Sequence, residues 1–222
     1  MNAREAIFAG IRRALGVTGA EDTRRFEIES RLAKAPAGVA PQRGQGNAEA
    51  RVETFKAEAV RVQATLAEVK TLAEVPAEVA RFLRDNNCPA ALRMGADEPL
   101  NEMPWSATSL EVSRGPSDGH DVNAVSRAFA GIAETGTLAL VSGESNPTTL
   151  NFLPDNHIVV LRKEDVVANY EDVFSKLRAV YGKGGAPRTL NFITGPSRSA
   201  DIEQTLLLGA HGPRRLHIVI AG

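Results

Sequence analysis

The sequence predicts a three-layer α/β fold that follows a helical extension. After residue 88, six short runs are rich in Val, Ile, Leu and Thr, and several are apolar on both faces, as strands covered on two sides must be. Helical periodicity separates the later runs, and alternating strands and helices are typical of parallel sheets with right-handed crossovers. At 222 residues the chain can bury one large core beside such an extension.

The N-terminal segment predicts one short helix and a linker. Four apolar residues share one face of this helix: Ile7, Phe8, Ile11 and Leu15. Gly16 is placed to end it. The run from Glu29 to Asn47 mixes Ala, Pro and Gly without periodicity, which is typical of a linker. We therefore divide the chain into residues 1–47, a helix and linker, and residues 48–222, the α/β domain.

Two helices are predicted to open this domain. From Ala48 onward, apolar residues recur at alternating steps of three and four: Val52, Phe55, Ala59, Val62 and Leu66. This spacing favours one helix over the strand that "VRVQATL" would suggest alone. Pro76 suits the first turn of a second helix, because its missing N–H has no partner there, and we expect this helix to run to about Asp85.

The six predicted strands form one mostly parallel inner sheet. They are "PAALRM", "ATSLEVS", "GTLALVS", "NHIVVLR", "RTLNFIT" and "RLHIVIA". A helix lies between the fourth and fifth, where apolar residues have helical spacing at Val166, Tyr170, Val173, Phe174, Leu177 and Val180, and Gly182 can end it. A further helix, with Ile202, Leu206 and Leu207, is expected between the fifth and sixth.

Composition excludes several classes of function. The chain has 26 basic and 27 acidic side chains, so no global field attracts it to nucleic acid or to an anionic membrane. No apolar run approaches the roughly 20 residues of a membrane span, and the N-terminal stretch lacks the apolar core of a signal peptide. We expect a cytoplasmic protein without a nucleic-acid partner.

Cysteine and histidine content predicts no metal centre. The single cysteine, Cys88, excludes an internal disulfide and an iron–sulfur cluster held by cysteines of this chain. The four histidines are His120, His157, His211 and His217. They are widely separated, and none forms a helical pair with a carboxylate as zinc peptidases require. Inside an apolar strand, His217 is typical of a core histidine.

The turn "TGPSRSADIE" suggests an anion site. It is predicted to join a strand ending near Thr194 to a helix beginning near Ser199, and open α/β sheets bind ligands at the carboxyl ends of their strands. An anion cradle would use the residue types found at Gly195, Ser197, Arg198 and Ser199. In the alternative, a serine caps the helix, Gly195 turns the chain and Arg198 is a solvated charge. His211, after that helix, could face the same crevice.

A second turn, in "GIAETGTLAL", carries the carboxylate of Glu134 at the entrance of a strand. Such a carboxylate can act as a base, a nucleophile or a cation ligand. Thr135 and Thr137 could donate hydrogen bonds to it or to a substrate. In the alternative, Glu134 accepts backbone N–H bonds and stabilises the turn.

Three motifs, in this order and separation, resemble the lactate-utilisation domain (LUD) family and specifically its C-type subunit: "GIAETGTLAL", "LPDNHIVVL" and "TGPSRSADIEQTLLLGAHGPRRLHIVI". The resemblance implies a Rossmann-like three-layer α/β/α sandwich, similar to the sugar-phosphate isomerase and coenzyme A transferase superfamily. The family is associated with bacterial oxidation of L-lactate to pyruvate, in which the C-type protein acts beside two partners that carry iron–sulfur clusters. This agrees with a chain that has no cluster ligands of its own.

Residue types and resemblance together place the site in the two turns. Glu134 is the candidate catalytic residue. The candidate ligand-binding residues are Thr135, Gly136, Thr137, Thr194, Gly195, Ser197, Arg198, Ser199 and His211. Pro154 and His157 also match the family's pattern. The approach to Glu134 departs from that pattern, since Arg127 and Phe129 stand where small polar residues are expected.

These observations support three hypotheses of different classes. In the first, the protein is a subunit of an L-lactate-oxidising system and binds a small carboxylate or phosphate-like anion between the two turns. Arg198 then pairs with the anion and Glu134 handles a proton. In the second, it is a free-standing isomerase-like or coenzyme A transferase-like enzyme that uses Glu134. In the third, it is a non-catalytic interaction module that uses its N-terminal helix.

Overall fold

The computed structural model describes residues 2–34, 36, 38–200 and 206–222, with backbone alone at 200 and 206–208. The chain divides between Val39 and Ala40 into two compact units. The smaller unit contains two helices, and the larger contains all twelve strands and four helices of the described residues.

The N-terminal unit consists of α1 (Ala3–Leu15) and α2 (Asp22–Lys34). Asn2 caps α1 together with Glu5, and Gly16, with a φ of 63°, ends it, which confirms the predicted first helix. The linker prediction is wrong over residues 29–34, which belong to α2. The Pro- and Gly-containing sequence that disfavours a helix begins only after Lys34.

The strands of the larger unit follow one another along the chain with these bounds: β1 (Thr65–Val69), β2 (Ala91–Met94), β3 (Glu111–Arg114), β4 (Asn123–Arg127), β5 (Ala130–Ile132), β6 (Thr137–Val141), β7 (Asn156–Arg162), β8 (Val166–Val167), β9 (Leu190–Ile193), β10 (Arg198–Ala200), β11 (Leu206–Leu208) and β12 (Arg215–Ala221). Its helices are α3 (Ala48–Arg61), α4 (Val75–Asp85), α5 (Glu98–Asn101) and α6 (Tyr170–Tyr181). The single turns of 3-10 helix are Gln42–Gly44, Leu72–Glu74, Trp105–Ala107, Thr148–Asn151 and Lys163–Asp165.

A six-stranded sheet in the order β1-β12-β7-β4-β2-β3 forms the centre of the larger unit, and every pair of neighbours is parallel. Both faces are apolar, as the sequence predicts. In β12, for example, Leu216 and Ile218 face one buried cluster and Val219 faces another. His217 is buried and stacks on Phe82 at a centroid distance of 4.1 Å, which confirms it as a core histidine.

A second sheet has four strands in the order β8-β5-β6-β9. Here β6 is antiparallel to both β5 and β9, whereas β5 and β8 are parallel. The prediction of one inner sheet is therefore wrong for "GTLALVS" and "RTLNFIT", which form β6 and β9. An apolar run shows that a strand is buried, but it does not show which sheet the strand joins.

The sheets and helices pack in layers, and the α/β fold is confirmed. One face of the parallel sheet packs against α4. The opposite face packs against α3 and the second sheet, through residues such as Phe55 and Leu138. Helix α6 covers the far side of the second sheet, with Val173 and Leu177 buried there.

Two helix predictions extend too far. The helix from Ala48 ends at Arg61, Gln63 has a left-handed φ of 69°, and Leu66 lies in β1 beside Ile218 of β12. The strand suggested by "VRVQATL" is thus present only in its last two residues, Thr65 and Leu66. Similarly, Val166 belongs to β8, which pairs with β5, and α6 begins only at Tyr170.

The predicted helix between the last two long strands is wrong for the described residues. Strands β10 and β11 form an antiparallel pair in which Ser199 lies opposite Leu207. The backbone explains this, because Gly209 N donates to Ser197 O at 2.9 Å and holds the two ends of the segment together. A helix from Ser199 to Leu208 would separate those ends by roughly 15 Å. Ile202 lies outside the described residues.

Candidate functional site

A cavity of about 290 Å³ lies between the turn after β9 and the segment that precedes β12. Five of the predicted ligand-binding residues line it: Thr194, Gly195, Ser197, Arg198 and His211. The structure thus brings together residues that are up to 17 positions apart in sequence. A concave site lined by apolar groups and a few polar groups is the usual form of a small-molecule site.

The cavity is not at the carboxyl ends of the parallel strands, where the sequence predicted it. From the parallel sheet it is lined by His157 and Leu216, the second residues of β7 and β12. From the second sheet it is lined by Phe192 and Ile193, the last two residues of β9. The cavity therefore lies at the amino-terminal ends of two central strands, where the second sheet packs against them.

The backbone fixes the turn from Thr194 to Arg198. Ser197 N donates to Pro213 O at 2.8 Å, and Ser197 O accepts from Gly209 N. Gly195 has a φ of 79°, and a Cβ there would overlap the carbonyl oxygen of Val62. A glycine is required at this close approach, whether or not the turn binds a ligand.

Arg198 lies on the cavity wall and is exposed. Its Nη2 donates to the carbonyl oxygen of Val62, the residue after α3. No carboxylate of the described residues lies within ion-pair distance of it. Because a guanidinium has five N–H donors, this contact leaves donors for a carboxylate or phosphate.

His157 forms the buried end of the cavity, with 1% of its surface exposed. Its Nε2 lies 3.1 Å from Ser126 Oγ, which donates in turn to Asn151 Oδ1 at 3.1 Å. Its Nδ1 has no hydrogen-bond partner among the described residues. Burial lowers the pKa of His157 to about 3, so the ring is neutral near pH 7.

Glu134 does not line this cavity. Its backbone N donates to Ala168 O at 3.2 Å, and its Oε1 accepts from Tyr170 N, the first residue of α6, at 3.4 Å. Its Oε2 is buried without a partner among the described residues. These contacts fit the alternative in which Glu134 stabilises its turn, and its role with a proton stays a prediction.

Four hydroxyl groups connect the two turns. Thr137 Oγ1 lies 2.7 Å from both Thr135 Oγ1 and Thr194 Oγ1, and 3.2 Å from Tyr170 Oη. Thr135 Oγ1 donates to Tyr170 Oη at 3.4 Å. Thr135 and Thr137 therefore reach the cavity only through Thr194.

The remaining predicted residues have structural contacts outside the cavity. Gly136, with a φ of 63°, lies against the backbone of α3, and a Cβ there would be 2.7 Å from Ala59 Cα. Ser199 lies in β10 and does not line the cavity. Arg127, at the departure from the family pattern, pairs with Asp97 at 2.9 and 3.0 Å, and this hydrogen bonding raises the pKa of Arg127.

The sequence does not predict Ser126, Asn151 or His157 as ligand-binding residues, although His157 matches the family's pattern. The available signal was a polar residue inside an otherwise apolar strand, as in "NAVSR" and "NHIVVLR". Buried polar groups are normally hydrogen-bonded, so such positions indicate a network.

The described residues show neither a metal centre nor a membrane span. Within residues 2–34, 36, 38–200 and 206–222, no three His, Cys, Asp or Glu side chains are grouped so that they could hold a metal ion. In the same part of the chain, no helix combines the length and the apolar character needed to cross a membrane.

Part of the chain matches a known domain model. Residues 123–221 match the LUD domain model. Lactate utilization protein C of Geobacillus thermodenitrificans is 33% identical over an alignment of 128 residues that covers 54% of this chain and 53% of that protein. The chain thus spans about half the length of this relative. Lactate utilization protein C of an Exiguobacterium species is 29% identical over an alignment of 179 residues that covers 76% of each chain.

A solved structure supports the fold. The crystal structure of a DUF162 family protein from Deinococcus radiodurans matches with a TM-score of 0.60 and 23% identity, over 80% of this chain and 100% of that one. All the residues that line the cavity, from Asn151 to Leu216, lie within the segment that matches the domain model.

Proposed function

Because residues 123–221 match the LUD domain model, we propose that the chain is a cytoplasmic subunit of an L-lactate-oxidising system that acts with iron–sulfur partner proteins. Oxidation of lactate to pyruvate releases two electrons and two protons, so the system needs an electron acceptor. The chain has one cysteine and hence no cysteine set for a cluster. In this proposal the partners carry the electrons, and this chain binds a small anion.

The cavity is the observation that carries the proposal. Its volume of about 290 Å³ is room for roughly ten water molecules, more than a three-carbon acid requires. Arg198 provides a fixed positive charge, and its planar guanidinium can donate two parallel hydrogen bonds to one carboxylate. Thr194 and Ser197 add hydroxyl groups on the same wall.

Calorimetric titration of the full chain with L-lactate, pyruvate and inorganic phosphate tests this site. We expect Arg198→Ala to weaken binding by about 10- to 100-fold, since a hydrogen bond to a charged group contributes roughly 1.5–3 kcal/mol. Arg178→Ala, on the exposed side of α6, is the matched control and should bind as the wild type does. Unchanged affinity in Arg198→Ala, or no binding of any of the three anions by the wild type, would contradict the proposal.

Lactate-dependent reduction of a dye tests the partnership. We expect the isolated chain to show no turnover and the chain mixed with the iron–sulfur proteins of the same system to show it. Turnover by the isolated chain that disappears in Glu134→Gln would instead favour the free-standing enzyme. The buried Oε2 of Glu134, which has no partner among the described residues, is the observation in favour of that alternative.

A further inference from the structure

A second cavity, of about 270 Å³, lies at the amino-terminal ends of β1 and β12, beside the end of α4. Its charged lining residues are Arg214 and Arg215, and none of the described residues that line it is an Asp or a Glu. The neutral side chains that can form hydrogen bonds there belong to Gln63, Thr65 and Asn86. A wall with two guanidinium groups and two amides, but no carboxylate, is suited to an anion.

Two buried amides orient Arg215. Its Nη1 donates to Asn156 Oδ1 at 3.0 Å, and Asn156 Nδ2 donates to Asn123 Oδ1 at 2.8 Å. Asn123 Nδ2 in turn donates to the carbonyl oxygens of Pro89 and Ala91. Both asparagines are 1% exposed, so the contact to Arg215 is anchored in the parallel sheet. Arg215 itself is exposed and forms no ion pair with a described carboxylate, so its other donors can bind a ligand without first losing a partner.

Gln63 lies on the same wall, in a backbone conformation that favours glycine. Its φ is 69°, and it follows the residue at which α3 ends, a position where glycine is usual. Gln63 and Arg215 each precede by two residues the pair Thr65 and His217, with which the pairing of β1 and β12 begins. Because a side chain is costly at this φ, local backbone preference does not explain the amide that Gln63 brings to the cavity.

Arg214 contributes less to the charge of the cavity. Its Nε lies 3.6 Å from Asp155 Oδ1, and the two side chains are 62% and 54% exposed. An ion pair this exposed is weak and is screened by solvent. Arg215 is therefore the cation that carries the argument.

We propose that this cavity is a second anion site, in which Arg215 binds the phosphate group of a phosphate monoester and Gln63 donates a further hydrogen bond to it. A phosphate group has three strong acceptor oxygens, which suit the parallel donors of a guanidinium and a neighbouring amide. Phe82, Pro196 and Leu216 line the rest of the wall, so an organic group on the phosphate has apolar surface to contact. Pro196 and Leu216 also line the first cavity, so this ligand would lie beside the carboxylate proposed there.

Calorimetric titration of the full chain with phenyl phosphate, inorganic phosphate and L-lactate tests the second site. We expect the wild type to bind phenyl phosphate and Arg215→Gln to bind it about tenfold more weakly or worse, with an unchanged affinity for L-lactate. Arg178→Gln, on the exposed side of α6, is the matched control and should bind phenyl phosphate as the wild type does. Tighter binding of phenyl phosphate than of inorganic phosphate supports an organic phosphate monoester as the ligand, whereas equal or weaker binding supports inorganic phosphate at the same site.

Gln63→Gly separates a role in binding from a role in folding. Because glycine suits a φ of 69°, the variant should unfold at the same temperature as the wild type or at a higher one. Its affinity for phenyl phosphate should nevertheless fall by about three- to tenfold, since one hydrogen bond to the ligand is lost. An unchanged affinity in Gln63→Gly would overturn the role of Gln63.

The second site as a whole has its own contradicting outcomes. No binding of phenyl phosphate by the wild type, or equal binding by Arg215→Gln, would overturn it. An equal loss of L-lactate binding in Arg215→Gln would also overturn it, because the two cavities would then act as one site. The proposed function is tested separately, since L-lactate binding that depends on Arg198 would stand in the first two of these cases.

Discussion

Gly136→Ala is expected to lower the free energy of unfolding by roughly 2–5 kcal/mol. Gly136 has a φ of 63°, and a left-handed conformation costs a residue with a Cβ about 1–2 kcal/mol. The new methyl group would also overlap the backbone of α3 near Ala59, and overpacking of this kind typically costs about 1–3 kcal/mol. Urea denaturation followed by circular dichroism measures the change.

Gly143→Ala is the control for this substitution. Gly143 is exposed, has no positive φ, and an added Cβ would meet no atom within 4 Å. The free energy of unfolding of Gly143→Ala should remain within about 1 kcal/mol of the wild-type value. If Gly136→Ala were as stable as Gly143→Ala, the packing of this turn on α3 would not explain the glycine, and a direct role toward a ligand would become the better explanation.

Acidification is expected to destabilise the protein through its two buried histidines. Burial lowers the pKa of His157 to about 3, and burial lowers that of His217 to about 4 despite the nearby carboxylate of Glu78. An unfolded histidine has a pKa of about 6.5, so between pH 6.5 and about 4 the unfolded chain binds protons that the folded protein does not. The free energy of unfolding therefore decreases as the pH is lowered, by up to about 1.4 kcal/mol per pH unit for each histidine.

Denaturant unfolding at several pH values between 6.5 and 5 measures this slope, in a range above the pKa values of ordinary carboxylates. The wild type should lose up to about 2.7 kcal/mol per pH unit from the two groups together. In His217→Gln the free energy of unfolding differs from the wild-type value at every pH, and its change per pH unit should be about half that of the wild type. An equal slope in the variant would show that His217 can be protonated in the folded protein.

The elements that the sequence predicted well are those whose own residues determine them. Helix α4 begins beside Pro76 and runs to Asp85 as expected, and β7 and β12 are apolar on both faces because both faces are covered. The errors concern choices made by distant partners. Leu66 continues a helical period by coincidence, but its backbone pairs with Ile218, which is 152 residues away. A local pattern does not contain that pairing.

Local residue types predicted part of the candidate site, as they did for the fold. The turn from Thr194 to Arg198 was found because its residue types are suited to an anion, and these residues do line one cavity. The helix expected after this turn is wrong for the described residues, because Ser199 lies in β10. The turn follows β9 of the second sheet, so the cavity lies beside the amino-terminal ends of β7 and β12 and not at the carboxyl ends of the parallel strands. The motif around His157 does not show that this residue lines the cavity, because the cavity wall there is formed by the packing of the second sheet against β7.

The row of hydroxyl groups between the two turns joins the cavity to helix α6. Thr135 Oγ1 donates to Tyr170 Oη, and Thr137 Oγ1 contacts Thr135, Thr194 and Tyr170. Tyr170 is not among the described residues that line the cavity, yet this row connects its side chain to the cavity wall at Thr194. Helix α6, on the far side of the second sheet, is thereby linked to the surface that a ligand would meet.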